Sequence, residues 1–289
     1  MEINRKTLFE SETLQIGLFE ARPTSDACGD VERQDRNLLV LPFSGVFSKH
    51  DAPGHHVIGT PSHAVFVAAD TPYRVGFPGG IGDRSLTLRF GENLAPEALG
   101  GGGGSKTLAS HGLLPAQAMM LRNLLRARLA RREVDEFEIE TLGLDLLNLS
   151  LTSLRTEAQP VRPSARTRRM RALARVKQAV AVAPSNRWNI ATLAKVANLS
   201  PFHLCHMFRD AVGTSIYDYV LHERLARTLD AVLDGDDLTT VALDAGFTSH
   251  SHFTARFRRF FGCTPAALRR SARMAEIAEL RKIVTARRH

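Results

Sequence analysis

From Leu14 to about Phe90 the chain sets short apolar segments between turn residues: LQIGLF, NLLVLPFSGVF, HHVIGT, HAVFVAA and SLTLRF are separated by clusters of Pro, Gly, Asp and Ser. Short runs punctuated in this way predict an all-β sandwich or small barrel. Pro53, Gly54, Pro61, Pro78, Gly79 and Gly80 mark its turns. Five consecutive glycines, Gly100 to Gly104, close the section and read as a surface loop. They match no phosphate cradle, because no Gly-Lys-Ser/Thr follows.

After Leu113 the period becomes helical. Leu121, Leu124, Leu125 and Leu129 share one face, the pattern breaks near Val134 and Asp135, and a second leucine-rich helix follows. There Leu144, Leu147, Leu151 and Leu154 form one stripe, while Leu142, Leu146 and Leu149 fall roughly opposite. The two helices form an antiparallel hairpin. One stripe packs on the β section or on the partner helix, and the other is a candidate dimer seam. Residues 157–168, EAQPVRPSARTR, are polar with two prolines and read as a linker. Everything beyond reads as helix, opened by Leu173, Val176 and Val180, with Ser185 or Asn189 as caps for the next element.

The helical part contains an internal near-repeat. Ser200, Leu204, Phe208 and Gly213 recur 49 residues later as Ser249, Phe253, Phe257 and Gly262, and Ala194 and Ala197 recur after 48 as Ala242 and Ala245. Each unit spells small residues, a turn, a capping serine and a helix with apolar residues four apart, which is a helix-turn-helix. Leu204, Phe208, Phe253 and Phe257 face inward. The outward positions, Phe202, Cys205 and His206 in the first unit and His250, Ser251, Thr254 and Ala255 in the second, are those that enter a major groove and meet base edges. Tyr217 to Leu233 reads as one helix between the units, long enough to set two such helices about one DNA turn (~34 Å) apart on successive grooves.

Charge sharpens this division. The 289 residues carry a net +8, but residues 1–160 hold 16 Lys and Arg against 20 Asp and Glu, and residues 161–289 hold 22 against 10, so the halves are −4 and +12. A basic half joined to an acidic one suggests a polyanion-binding domain attached to a domain with another task. Cys28, Cys205 and Cys263 lie far apart without CxxC spacing, which argues against disulfides and zinc modules and for a reducing compartment. No apolar run is long enough to span a bilayer, so a cytoplasmic protein without membrane contact is expected.

NIATLAKVANLSPFHLCHMFRDAVGTSIYDYVLHERLARTLDAVL and TTVALDAGFTSHSHFTARFRRFFGCTPAALRR resemble the AraC/XylS transcription regulators. The second segment carries Ala242, Gly246, Phe247, Ser251, Phe253, Phe257, Phe261, Gly262, Thr264, Pro265 and Arg269 at that family's signature positions. The resemblance covers roughly residues 165–272. It implies a cupin-like (jelly-roll) β domain that senses a small-molecule effector, a hairpin that dimerises, and a two-domain regulator, in sense an activator, that contacts RNA polymerase and performs no catalysis. The expected divisions are 1–112 for the β domain, 113–156 for the hairpin, 157–168 for the linker, 169–272 for the DNA-binding domain and 273–289 for a basic helix or tail. His206 and Ala255 stand where many relatives carry arginine, so bidentate arginine-to-guanine reading is not expected. Affinity then rests on phosphate contacts from Arg209, Arg256, Arg258, Arg259 and the helix N-termini at Ser200 and Ser249.

A competing reading is a metal-dependent cupin enzyme, invited by His50, His55, His56 and His63. Their spacing speaks against it: His55 and His56 are adjacent and on a strand point to opposite faces. No metal or cofactor is expected. Phe43, Phe47, Phe66 and Tyr73 line either an apolar pocket or an ordinary core, and nothing identifies the effector. Cys205, on the outward face of the first unit, also invites a redox-switch reading.

Overall fold

The computed structural model describes residues 1–52, 55–91, 94, 106–131, 135–157 and 163–274. The glycine run Gly100–Gly104, the turn Pro53-Gly54, residues 158–162 of the expected linker and 275–289 of the expected tail lie outside them. Eleven strands fall within the described residues. They are β1 (Glu2–Glu10), β2 (Leu14–Arg22), β3 (Asn37–Gly45), β4 (Phe47–Ala52), β5 (His55–Gly59), β6 (His63–Val67), β7 (Arg74–Gly76), β8 (Asp83–Phe90), β9 (Lys106–Leu108), β10 (His111–Leu113) and β11 (Arg155–Glu157). The first sheet has the order β1-β2-β8-β3-β6-β10, the second is β5-β4-β7, and β9 pairs with β11. The paired strands are antiparallel throughout.

Alternation along the large sheet separates two interiors. On one face Leu14, Ile16, Leu39, Leu41, Leu86, Leu88 and Phe90 are all but fully buried against helices. On the other, Phe19, Val40 and Val65 meet Phe47, Val57 and Val75 of the small sheet. The four aromatics picked from the sequence therefore split: Phe47 and Tyr73 line the space between the sheets. Phe66 packs with Phe90 on the helix side, and Phe43 is flanked by the guanidiniums of Arg84 and Arg126. Strand β1 gave no pattern because it is an edge strand with mostly exposed side chains.

Two helices cover the first face, α1 (Ala116–Arg131) and α2 (Glu136–Ser153), the latter capped by Asp135, whose carboxylate accepts from the Glu138 amide. Gly143 is the point of contact: a Cβ there would lie 2.6 Å from Leu14 Cδ2. Leu142, Leu146, Leu147, Leu151 and Leu154 are buried, and Leu144 and Leu149 half-buried. Both leucine stripes are thus largely consumed inside the chain, whereas Phe137 is 79% exposed.

The segment expected as linker is different in kind. Arg155–Glu157 is strand β11, and α3 (Pro163–Val182) starts inside the segment with proline in its first turn, where the missing N–H has no partner to lose. Six more helices complete the described chain: α4 (Ile190–Ala197), α5 (Pro201–Val212), α6 (Ile216–Asp234), α7 (Leu238–Asp244), α8 (His250–Phe261) and α9 (Pro265–Met274). The fold is thus a two-sheet β domain followed by an all-helical one. Among the described residues no helix is long and apolar enough to cross a membrane.

The halves share a core. Leu121, Leu124 and Leu125 of α1 belong to one apolar cluster with the sheet and with Leu225, Leu229 and Val232 of α6 and Phe253, Phe257 and Phe261 of α8. Polar groups are sealed into the same contact. Glu223 of α6 is fully buried, and its carboxylate accepts from Thr60 Oγ1 at 2.6 Å and from Ser62 Oγ. His63 Nδ1 lies 2.7 Å from Thr60 Oγ1, and burial with nearby Lys177 and His111 pushes its pKa well down, so the ring is neutral. Lys177 of α3 is buried as well, and desolvation lowers it to about 8 against an opposing pull from Glu223. Asp230 accepts from Asn123 at 2.5 Å and Arg126 at 2.7 Å. Arg122, fully buried and lowered to about 9 by desolvation, donates to the carbonyls of Pro42 and Pro61.

Candidate nucleic-acid interface

The repeat found in the sequence is a repeat of local geometry. In the first unit Asn189 caps α4, and Asn198 takes the left-handed conformation (φ 56°) that reverses the chain. Ser200 then caps α5 by accepting from the His203 amide at 3.3 Å. In the second, Asp237 caps α7, Gly246 (φ 82°) makes the reversal, and Ser249 accepts from the His252 amide at 3.1 Å to open α8. Both second helices end on a left-handed glycine, Gly213 and Gly262. Gly246 is required twice over, since a Cβ would also sit 2.8 Å from the Ser185 backbone.

Inward positions close each unit. Leu204, Met207 and Phe208 are buried on α5, and Phe253, Phe257 and Phe261 on α8. Ala194, Ala197 and Ala242 are buried at the helix crossings and Ala245 is half-buried. Helix α6 joins the units with 19 residues, roughly 28 Å at ~1.5 Å per residue. Arg224 on α6 donates to the carbonyls of Pro184 and Asn186, between α3 and α4, and of Gly246 in the second unit.

Outward positions stand where the spacing puts them. Phe202 is 81% exposed. His206, His250, Ser251 and Ala255 are exposed, and Cys205 and Thr254 half-buried. Among the residues picked for phosphate contact, Arg209, Arg258, Arg259, Ser200 and Ser249 are exposed. Arg256 is half-buried, its Nε 3.4 Å from His252 Nε2 and its guanidinium over the Tyr217 ring.

Two features were not foreseen. His206 Nδ1 lies 3.3 Å from the carboxylate of Asp210, one turn along α5, and Phe202 packs edge-on to the same imidazole. Arg169 of α3 approaches Asp210 at 3.4 Å, and with Arg168, Arg175, Asn198 and His203 it borders a groove beside α5. Arg168 lies at the end of the segment read as a linker, while Arg169 and Arg175 fall outside the internal repeat that marked the other positions. The i, i+4 spacing of His206 and Asp210 was the signal available for the first pair.

The histidines of the β domain do not converge. His50 and His56 stack at 5.1 Å, His50 Nε2 bonds Ser48 Oγ at 2.9 Å, and His63 belongs to the interdomain network, while the side chain of His55 lies outside the described residues. Among the described residues no group of three His, Cys, Asp or Glu side chains is placed to hold a metal ion.

Two matched units of helix, reversal and capped second helix define a helix-turn-helix protein. A family profile described as a helix-turn-helix domain matches residues 193–271. The probable transcription factor PqrA of Proteus vulgaris is 32% identical over 88 residues, covering 30% of this chain and 72% of that protein. The transcriptional regulator MtrA of Neisseria gonorrhoeae is 34% identical over 88 residues, 30% of this chain but only 29% of MtrA. Among solved structures, the DNA-binding domain of AdpA with a target DNA is 26% identical, covering 35% of this chain and 93% of that one, with a TM-score of 0.34. ToxT from Vibrio cholerae is 9% identical over 89% of this chain and 97% of its own, with a TM-score of 0.33. The chain belongs to the AraC/XylS family of transcription regulators.

Proposed function

We propose that this chain is a sequence-specific, double-stranded-DNA-binding transcription regulator, acting in the cytoplasm as an activator, whose two units read successive major grooves of one operator. The observation that carries the reading is the pair of exposed second-helix faces held by one continuous helix, α6. Phe202, Cys205, His206, His250, Ser251, Thr254 and Ala255 meet base edges. Arg209, Arg256, Arg258, Arg259 and the N-termini at Ser200 and Ser249 meet phosphates. With histidine and alanine where a bidentate arginine would read guanine, thymine methyls and single hydrogen bonds carry the specificity. Asp210 has a defined part in this: it orients His206 and keeps Arg169 beside the reading helix.

The β domain, in this reading, binds a small-molecule effector in the cavity between its sheets, and the chain works as a homodimer in contact with RNA polymerase. A cavity of about 190 Å³ bordered by both sheets supports the effector site. No catalysis is required.

The test is a titration of promoter fragments against salt. Specific binding falls steeply with salt, with a slope of roughly −0.9 per phosphate neutralised, and exceeds binding to random duplex by ~10³ or more. Equal affinity for random duplex would leave a non-specific basic protein and overturn the reading.

A further inference from the structure

We propose, building on the effector reading above, that the cavity between the sheets takes a small molecule whose apolar body ends in a hydrogen-bond donor, an alcohol or an amine, seated on the carboxylate of Asp83. Apolar side chains form part of the cavity's walls, Phe19, Val40, Val65 and Val67 on one side and Phe47 and Val75 on the other, and the cations Arg5, Lys6, Lys49 and Arg89 also border it. Its buried polar groups are mostly spoken for. Lys49, 3% exposed, is held by Asp51 at 2.5 Å. At the far end Arg89 donates to Gln34 (3.1 Å), the Gln34 amide to Tyr73 Oη (2.7 Å), and both Tyr73 (3.3 Å) and Arg5 (3.1 Å) to Glu32.

Asp83 is the exception. It is 4% exposed and stands on the cavity face of β8 in line with Thr87 and Arg89. Ser85 Oγ donates to its Oδ2 at 2.5 Å, while Oδ1 is buried with no hydrogen-bond partner among the described residues. A buried acceptor left unmatched costs about 1–3 kcal/mol, which a ligand donor recovers. A carboxylate-ended ligand would instead set like charge against it. The ionised carboxylate accepts from a donor and gains most from a cationic one; burial raises Asp83 to about 7, so this form prevails above that pH.

The Asp83 end is also the end nearest the DNA-binding half. Asp83 pairs with Gly45 across the sheet, and the Gly45 carbonyl accepts from Arg227 of α6 at 3.3 Å. The corner has no slack: a Cβ on Gly45 would lie 2.1 Å from the Gly82 carbonyl oxygen, and one on Gly82 2.1 Å from that of Ala21.

The experiment is calorimetric titration of the full chain at pH 8 with three probes that share one body, 2-phenylethanol, 2-phenylethylamine and phenylacetate. The expected result is binding of the alcohol, the amine or both at least tenfold tighter than phenylacetate; the two donor arms tell alcohol from amine. Asp83→Asn, nearly isosteric, should remove at least tenfold of amine affinity and spare the alcohol. Phenylacetate binding within tenfold of the tighter donor, or no binding by any probe, overturns the proposal without recourse to the variant. Promoter titration on the same preparation separates the two readings: intact specific DNA binding with no donor preference sinks the ligand chemistry alone, and donor binding without specific DNA binding sinks the regulator alone.

Discussion

Replacing Glu223 by glutamine tests whether the two halves are held together through a buried charge. The carboxylate accepts from Thr60 and Ser62 across the domain contact and offsets the charge of buried Lys177 in its own half, with no exposure to solvent. The amide keeps the shape and one acceptor but loses the charge. A hydrogen bond to an ionised group contributes roughly 1.5–3 kcal/mol against about 1 for a neutral one. Two weakened bonds and a lysine left without its counter-charge therefore predict a loss of about 2–4 kcal/mol in the opening of the contact. Each 1.4 kcal/mol is tenfold, so amide hydrogen exchange in peptides spanning residues 58–66 and 218–228 should accelerate roughly 30- to 700-fold. Strands distant from the contact, such as β1, should be unaffected. Thr60→Val in the glutamine background should cost less than it does alone, because both substitutions act on one interaction. Exchange within threefold of the parent at both peptides would refute the reasoning and move the cohesion of the halves to the apolar cluster.

Three further outcomes follow from the same structure. Asp83 is raised from 3.8 to about 7, so the native state binds the extra proton across that window and stability falls as pH rises from about 4 to 7. Asp83→Asn should raise the unfolding free energy at pH 8, by at most about 4 kcal/mol, and change little at pH 4; urea melts at the two pH values check this. Gly246→Ala combines a left-handed backbone with a 2.8 Å clash and should cost at least ~2 kcal/mol, whereas Gly213→Ala, with open space around its Cβ, should cost about 1; thermal melts rank them. His206→Ala should alter base preference in a footprint or selection assay, while Arg258→Ala should weaken all sequences alike and flatten the salt slope by about one unit.

What the sequence made visible was whatever one element could state by itself. The strands β2, β3, β5, β6 and β8 announce themselves because each has a buried face, and the repeat from Ala194 to Gly262 fixes caps, reversals and inward residues locally. What stayed hidden depended on distant partners. Glu223 reads as a surface charge within HER until Thr60 and Ser62, more than 160 residues earlier, close over it. One leucine stripe of α2 reads as a candidate dimer seam because the sheet face that meets this helix lies far off in sequence, at Leu14 and Ile16. Asp83 resembles any charge at a strand end, and only the opposing sheet shows that it is enclosed.

Helix α6 has one further consequence, for anyone who would work with the DNA-binding half alone. Cut free at Pro163, that half would carry into water the side of α6 that the β domain now covers, including a carboxylate matched to hydroxyls that are no longer there and apolar side chains shared with α1. Such a fragment would be sticky in proportion to that surface. Substituting polar residues along the strip would then do more for its solubility than any change to the DNA-reading face.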